Sequence, residues 1–249
     1  MTLKIKQTLA SVLLLSFSLS AVAQVTQDMV EASRKTEVWE PVPPKVETLP
    51  GNPPSDAVVL LSGDSLDAWE SGNGEAAKWD VNAYAMTVKP GAGDIQTKQE
   101  FCDVQLHLEF NPAIENDKTD QAKANSGVFL QGRYEVQILD NYTNKTYANG
   151  QVGAVYKQHI PLANPSRPAG EWQYYDIIFT APKFDGEALK SPAYVTVLLN
   201  GVLVQNHVEI QGTTEWIGAP SYKAHGCAPI KLQDHGSPNR FRNIWVREL

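Results

Sequence analysis

SGVFLQGRYEVQILD, residues 126–140, is the stretch on which the fold turns. Successive side chains of a strand point to opposite faces, so every second residue shares a surface. In its second half, Tyr134, Val136 and Ile138 line one face, while Arg133, Glu135 and Gln137 line the other. Its first half, SGVFL, is apolar, and Gln131-Gly132 supplies a turn between the two. The stretch reads as a pair of antiparallel strands. The same texture extends both ways. CDVQLHLEF (102–110) sets Val104, Leu106, Leu108 and Phe110 against Gln105, His107 and Glu109. AVVLLSG (57–63), WDVNAYAMTVK (79–89), VGAVY (152–156), WQYYDIIFTAP (172–182) and FRNIWVREL (241–249) read as further strands, and PGAGDIQTK (90–98) as a loop entering one. AYVTVLLNGVLVQNHVEI (193–210) reads as a hairpin turning at Asn200-Gly201, a strong short-range turn signal. No segment sustains a 3.6-residue period over ten residues, and no internal repeat is visible. Many short strands with regular turns predict an all-β, two-sheet antiparallel sandwich over residues 55–249.

The remainder of the chain sets the context. Residues 1–23 have the form of an export signal: Lys4 and Lys6, an apolar run over 9–19, then Ala21-Val22-Ala23. The run is short for a membrane span, so no membrane insertion is expected after cleavage. A periplasmic or secreted protein of a Gram-negative bacterium is the simplest expectation. Without residues 1–23 the chain keeps 19 basic and 28 acidic side chains, a net charge of −9. An acidic chain with no basic stripe, P-loop or zinc-finger spacing does not suit nucleic acid. Residues 24–54 begin with a short helix or a disordered lead, followed by six prolines between 41 and 54. Proline at that density excludes helix and ladder alike. The segment reads as a strap or linker, with disorder as the alternative. Export makes a bond between Cys102 and Cys227 chemically available; two buried thiols that never meet are the alternative.

The chemistry sits on the polar faces. KLQDHG (231–236) puts Lys231, Gln233 and His235 in a row. With the His107/Glu109 and Arg133/Glu135/Gln137 rows, three strands then present hydrogen-bonding side chains. Were they neighbours in one sheet, the rows would merge into a groove. Each alone could equally be a wet strand face. Amides and carboxylates bind sugar hydroxyls, and aromatic rings bind sugar C–H faces. The nearby rings are Tyr142, Tyr156 and Trp172. Glu135, Asp140, Glu109, His107, Asp234 and His235 are the acid–base candidates. The chain lacks an E-x-D-x-E run on one strand, so a two-carboxylate glycosidase is poorly supported. Glutamate with histidine suits proton abstraction beside a carbonyl, or a divalent metal ion.

NSGVFLQGRYEVQILD, GEWQYYDI, LLNGVLV and PIKLQDHG followed by FRNIWV resemble, in order, motifs of the 3-keto-disaccharide hydrolase family. LSGDSLDAWE (61–70) and GDIQTKQEFCDVQLHLEF (93–110) add to the likeness, which runs from about residue 57 to 249. The resemblance implies a concanavalin A-like jelly roll and an exported enzyme that cleaves glycosides first oxidised to a ketone at C3. Matching positions are Asn125, Ser126, Glu135, Gln137, Asp140, Glu171, Gln233, Asp234 and His235. Two positions depart from the pattern: Cys102 replaces a small residue and Gln131 a frequent arginine. The implied catalytic set is Glu135, His235 and Asp234, with Glu135 or His235 as base. Asn125, Gln137, Asp140, Tyr156, Trp172, Lys231 and Gln233 would hold an oligosaccharide or glycoside. A divalent metal at the ketone would draw on His107, Glu109 and His235; no cofactor is otherwise implied. The rival readings are a carbohydrate-binding module that does not cut, an ordinary glycosidase, and an adhesive exported domain.

Overall fold

The clean alternation of residues 102–110 becomes the middle of a large sheet in the computed structural model, which describes residues 25–82 and 84–249. The expected export signal lies outside the described residues. The chain divides into two units, at Lys45 and Val46. The described part of the first holds α1 (Gln27–Arg34), whose N-cap Thr26 accepts the Met29 N–H at 3.3 Å.

The second unit is built of strands. In chain order they are β1 (Val58–Val59), β2 (Trp69–Ser71), β3 (Asp80–Asn82), β4 (Ala85–Thr87), β5 (Ile95–Phe101), β6 (Val104–Asn111), β7 (Ser126–Leu130), β8 (Tyr134–Ile138), β9 (Gln173–Thr180), β10 (Lys183–Asp185), β11 (Ala188–Ser191), β12 (Tyr194–Leu199), β13 (Val202–Glu209), β14 (Ala228–Leu232) and β15 (Arg240–Glu248). The larger sheet runs β13-β12-β9-β6-β15-β4-β3, with β1 also on β15. The smaller runs β2-β5-β14-β7-β8, and β10-β11 stands apart as a hairpin. All pairs are antiparallel, which makes the fold a two-sheet, jelly-roll sandwich.

The inner faces supply the core. Leu106, Leu108 and Phe110 of β6 and Tyr175, Ile177 and Phe179 of β9 pack toward Val128, Tyr134, Val136, Ile138 and Ile230 of the smaller sheet. Tyr175 crosses the sandwich to donate its hydroxyl to the Gln137 carbonyl at 2.6 Å, a polar tie inside an apolar layer. Asn200 and Gly201 both take positive φ (51° and 78°), as a two-residue hairpin turn requires. Cys102 and Cys227 form a disulfide at the paired ends of β5 and β14, with Cα atoms 4.6 Å apart.

One strand expectation needs correction, and one hairpin has no counterpart in the sequence reading. VGAVY is not a strand: Val155 makes single bridges to Val136 and His159. The segment instead covers the free edge of β8, where Tyr156 N–H donates to Glu135 O (3.1 Å) and Gly153 N–H to Gln137 O (3.1 Å). Residues 183–191, which lack a strong apolar run, form the β10-β11 hairpin.

Candidate functional site

The outer face of the smaller sheet carries one in-register row. Glu70, Gln96, Lys231, Phe129 and Glu135 pair in sequence across β2, β5, β14, β7 and β8. Gln96 donates to Glu70 (3.0 Å), and the Lys231 ammonium sits 4.1 Å from the Phe129 ring centre and 3.0 Å from Asp94. At the β8 end the row drops into a cavity of about 680 Å³, lined by Glu135, Gln137, Gln233 and His235 with side chains from the covering loops. That volume lies within the range of small-molecule sites.

Glu135 forms the floor. It is only 5% exposed, and among the described residues no protein donor reaches its carboxyl. Burial pushes its pKa up to about 8, while the Lys231 ammonium pulls the other way. Gly127 makes the space: a Cβ there would run into the Glu135 carboxyl and the Phe129 ring. Thr214 accepts the Glu135 backbone N–H at 3.0 Å and completes the edge of β8.

Two amides stand beside the carboxyl. Gln137 donates to Gln121 Oε1 (3.0 Å), and Gln121 in turn holds Thr146 (2.7 Å) and the Gly150 carbonyl (3.0 Å). Ser126 donates to the Gln233 carbonyl (2.7 Å) and Gln233 N–H to Gly127 O (3.1 Å), which locks Gln233 to β7. The side-chain oxygens of Gln137 and Gln233 are buried without a partner. Buried acceptors left empty are costly, so both are open to O–H or N–H donors from a bound ligand or water. Asn125 lines the wall and donates to Gln121 O at 2.6 Å. Tyr156 and Tyr147 share a 2.6 Å hydroxyl contact; burial and that bond raise the Tyr156 pKa, keeping the phenol a neutral donor.

The structure redistributes several expected residues. Asp234 does not face a reactant: its two oxygens accept the N–H groups of Gly93 (3.0 Å) and Gly236 (2.9 Å). Its own N–H donates to Asp94 (2.9 Å), so Asp234 shapes the loop that holds His235 at the rim. Asp140 is buried in an ion pair with Lys123 at 3.1 Å, outside the cavity lining. Lys231 acts on the cavity only through its charge.

His107, Glu109 and Trp172 need a larger correction, because β6 and β9 belong to the other sheet. His107 and Glu109 are half-buried and alternate with core residues, so they point outward on the far side of the core from the cavity. His107 donates to Asp176 (2.6 Å) and stacks on Trp245; Asn243 joins it to Glu109 (3.0 Å), which Arg242 holds at 2.6 Å. Trp172 lies against the Arg242 guanidinium, 4.0 Å from its ring centre. These side chains form a satisfied surface network. The expected metal set of His107, Glu109 and His235 does not converge, and among the described residues no other cluster of three such ligands does.

Gln121, Tyr147, Lys157, Thr214 and Trp216 line the cavity without having been singled out in the sequence. They come from segments between strands, where no periodicity marks a face.

A family model described as the 3-keto-alpha-glucoside-1,2-lyase-like domain matches residues 56–247. The chain belongs to that family. A crystal structure of a proposed glycosyl hydrolase from Parabacteroides distasonis ATCC 8503 is 52% identical, with a TM-score of 0.82, covering 91% of this chain and 98% of that one. A second proposed glycosyl hydrolase structure from the same organism is 21% identical (TM-score 0.58; 78% and 94% covered) and supports the fold alone. No curated protein sequence matches the chain. The domain is thus glycosyl hydrolase-like. Among the described residues no helix is long and apolar enough to cross a membrane.

Proposed function

We propose that this lyase-like domain cleaves glycosides whose sugar carries a ketone at C3, by elimination across C1 and C2, with water then completing a net hydrolysis. The observation that carries the reading is Glu135: the one carboxyl lining the cavity among the described residues, buried, with a pKa of about 8. A two-carboxylate glycosidase needs a second acid across the bond, and the lining has none. A single base tuned near neutrality suits removal of a proton acidified by an adjacent ketone.

In this mechanism the Glu135 carboxylate takes the C2 proton. The C–H electrons form the enolate, the enolate expels the C1 oxygen substituent, and that oxygen leaves with a proton. The product is an enone; water adds to it at C1 to give the free 3-keto sugar. Gln137 and Gln233 offer empty acceptors to sugar hydroxyls, and Tyr156 a neutral donor to a developing oxyanion. His235, at the rim, is the candidate to return the proton to the departing oxygen.

We also propose that the protein works outside the cytoplasm. The form of residues 1–23 and the disulfide favour an oxidising compartment. The decisive assay offers a 3-keto-glucoside and its unoxidised parent side by side. Cleavage of the keto compound alone, lost in Glu135→Gln, is expected. Comparable cleavage of both would overturn the mechanism, and binding without cleavage of either would leave a binding module.

A further inference from the structure

The cavity has a floor built for a polyol, but its mouth is built from different material. Trp216, on the cavity rim, is 73% exposed, and the adjoining Ile217 is 75% exposed. A tryptophan left that open has an unspent apolar face. Isolated exposed aromatics are common, so exposure alone would decide nothing. The backbone around this one is what matters.

The segment after Ile210 belongs to no strand, yet it is pinned on both sides of the ring. Gln211 N–H donates to Gln158 Oε1 (2.7 Å), and Gln158 Nε2 donates to Gly212 O (3.0 Å). Thr213 N–H donates to Ser221 O (3.0 Å) and Thr214 N–H to Arg133 O (2.9 Å). Gly212 has a φ of 141°, and a Cβ there would strike the Ser221 backbone, so the turn is specific to glycine. The last clamp is on Trp216 itself: Lys157 Nζ donates to its carbonyl at 2.6 Å. Lys157 has a positive φ (58°) and donates its backbone N–H to Asn149 O at 2.7 Å. Its ammonium stands 5.8 Å from the ring centres of both Tyr147 and Tyr156. One lysine therefore couples the tyrosine wall to the tryptophan lip. A fixed backbone holding a free indole face at the mouth of a polar cavity is a preorganised platform, since little ordering cost remains when a ring settles on it.

We propose that Trp216 is the specificity-determining platform for the leaving-group half of the substrate, and that this half is a ring with an apolar face. The inference rests on the assignment of the cavity to keto-glycoside cleavage. The oxidised sugar lies on the polar floor with Glu135, Gln137 and Gln233, and the departing ring stacks on the indole outside. A second pyranose and an aromatic aglycone present the same chemistry to Trp216. A methyl group does not reach it.

The test measures kcat/KM for three 3-keto-glucosides that differ only in the leaving group: methyl, a second glucose, and phenyl. Wild type is expected to prefer the ring-bearing compounds, and Trp216→Ala to lower that preference roughly tenfold, the scale of one lost stacking face. Trp216→Phe should retain most of it, and Lys157→Met, which frees the lip, should lose part of it. The two glucosyl and phenyl arms identify which ring is favoured. No preference in wild type, or an unchanged ratio in Trp216→Ala, would overturn the platform. If wild type cleaves none of the three, the reaction assignment fails, and calorimetry with the same compounds still reads the platform. Ring-bearing compounds binding at least tenfold tighter to wild type than to Trp216→Ala would support it; equal or undetectable binding to both would overturn it.

Discussion

Replacing Glu135 by glutamine keeps shape and removes the charge, and its effect on stability follows from the burial of that carboxyl. The ordinary carboxyl value is 4.5, and burial raises it to about 8 in the folded protein. Its folded-state pKa therefore exceeds the unfolded one. Between these values the native state holds a proton that the unfolded chain has released, so stability falls as pH rises. Below 4.5 both states are protonated and the carboxyl costs nothing extra; above about 8 the cost is complete. At about 1.4 kcal/mol per pH unit, the gap corresponds to roughly 4–5 kcal/mol of stability given up by pH 8. Glu135→Gln does not titrate. Its advantage over wild type in urea unfolding is expected to be small at pH 4.5 and to grow steadily to pH 8. Taking the difference between the two proteins cancels every other titrating group. The same variant should lose cleavage, while wild-type kcat/KM should rise with pH on the acid side of its profile as Glu135 gives up its proton. A stability difference that stays flat from pH 5 to 8 would refute the claim that burial holds the proton, and a kcat/KM that falls steadily from pH 5 upward would make Glu135 an acid instead of the base.

Gly127→Ala should displace the Glu135 carboxyl and depress turnover by an order of magnitude or more, read as kcat on the keto substrate; unchanged kcat would mean that the carboxyl has room to move. Gln233→Met removes one empty acceptor at near-constant volume and should raise KM roughly tenfold with no loss of stability in thermal melts. Replacing both Cys102 and Cys227 by alanine opens a loop of 125 residues and should cost about 4–5 kcal/mol in denaturant titrations. Asp176→Asn should weaken the His107 network by about 1–2 kcal/mol while kcat/KM stays within twofold, because that network faces away from the cavity. A large loss of activity there would reopen the outer face as a functional surface.

The sequence by itself determined the strands with a strict period of two and their inner and outer faces. Residues 102–110 and 126–138 alternate as read, and Asn200-Gly201 turns as its residue types require. These are local properties: pleat and turn geometry depend on side chains within a few residues. The polar row of β8 was legible for the same reason; residues 231–236 are not one strand row, because β14 ends at Leu232 and Gln233 and His235 reach the cavity from the loop beyond it. Sheet membership was not legible. β5 pairs with β14, more than a hundred residues away, while β6, next to β5 in the chain, joins the other sheet. Periodicity places a row on an outer face but cannot say which of two sheets owns that face, so the pattern alone does not separate His107, Glu109 and Trp172 from Glu135. The tertiary structure also decided what Asp234 and Asp140 do, because a carboxylate's role depends on the donors that happen to reach it. It alone assembled the walls and rim from Gln121, Tyr147, Lys157, Thr214 and Trp216. Those residues lie in irregular segments held by single hydrogen bonds to distant partners, and such contacts leave no repeating pattern in the chain.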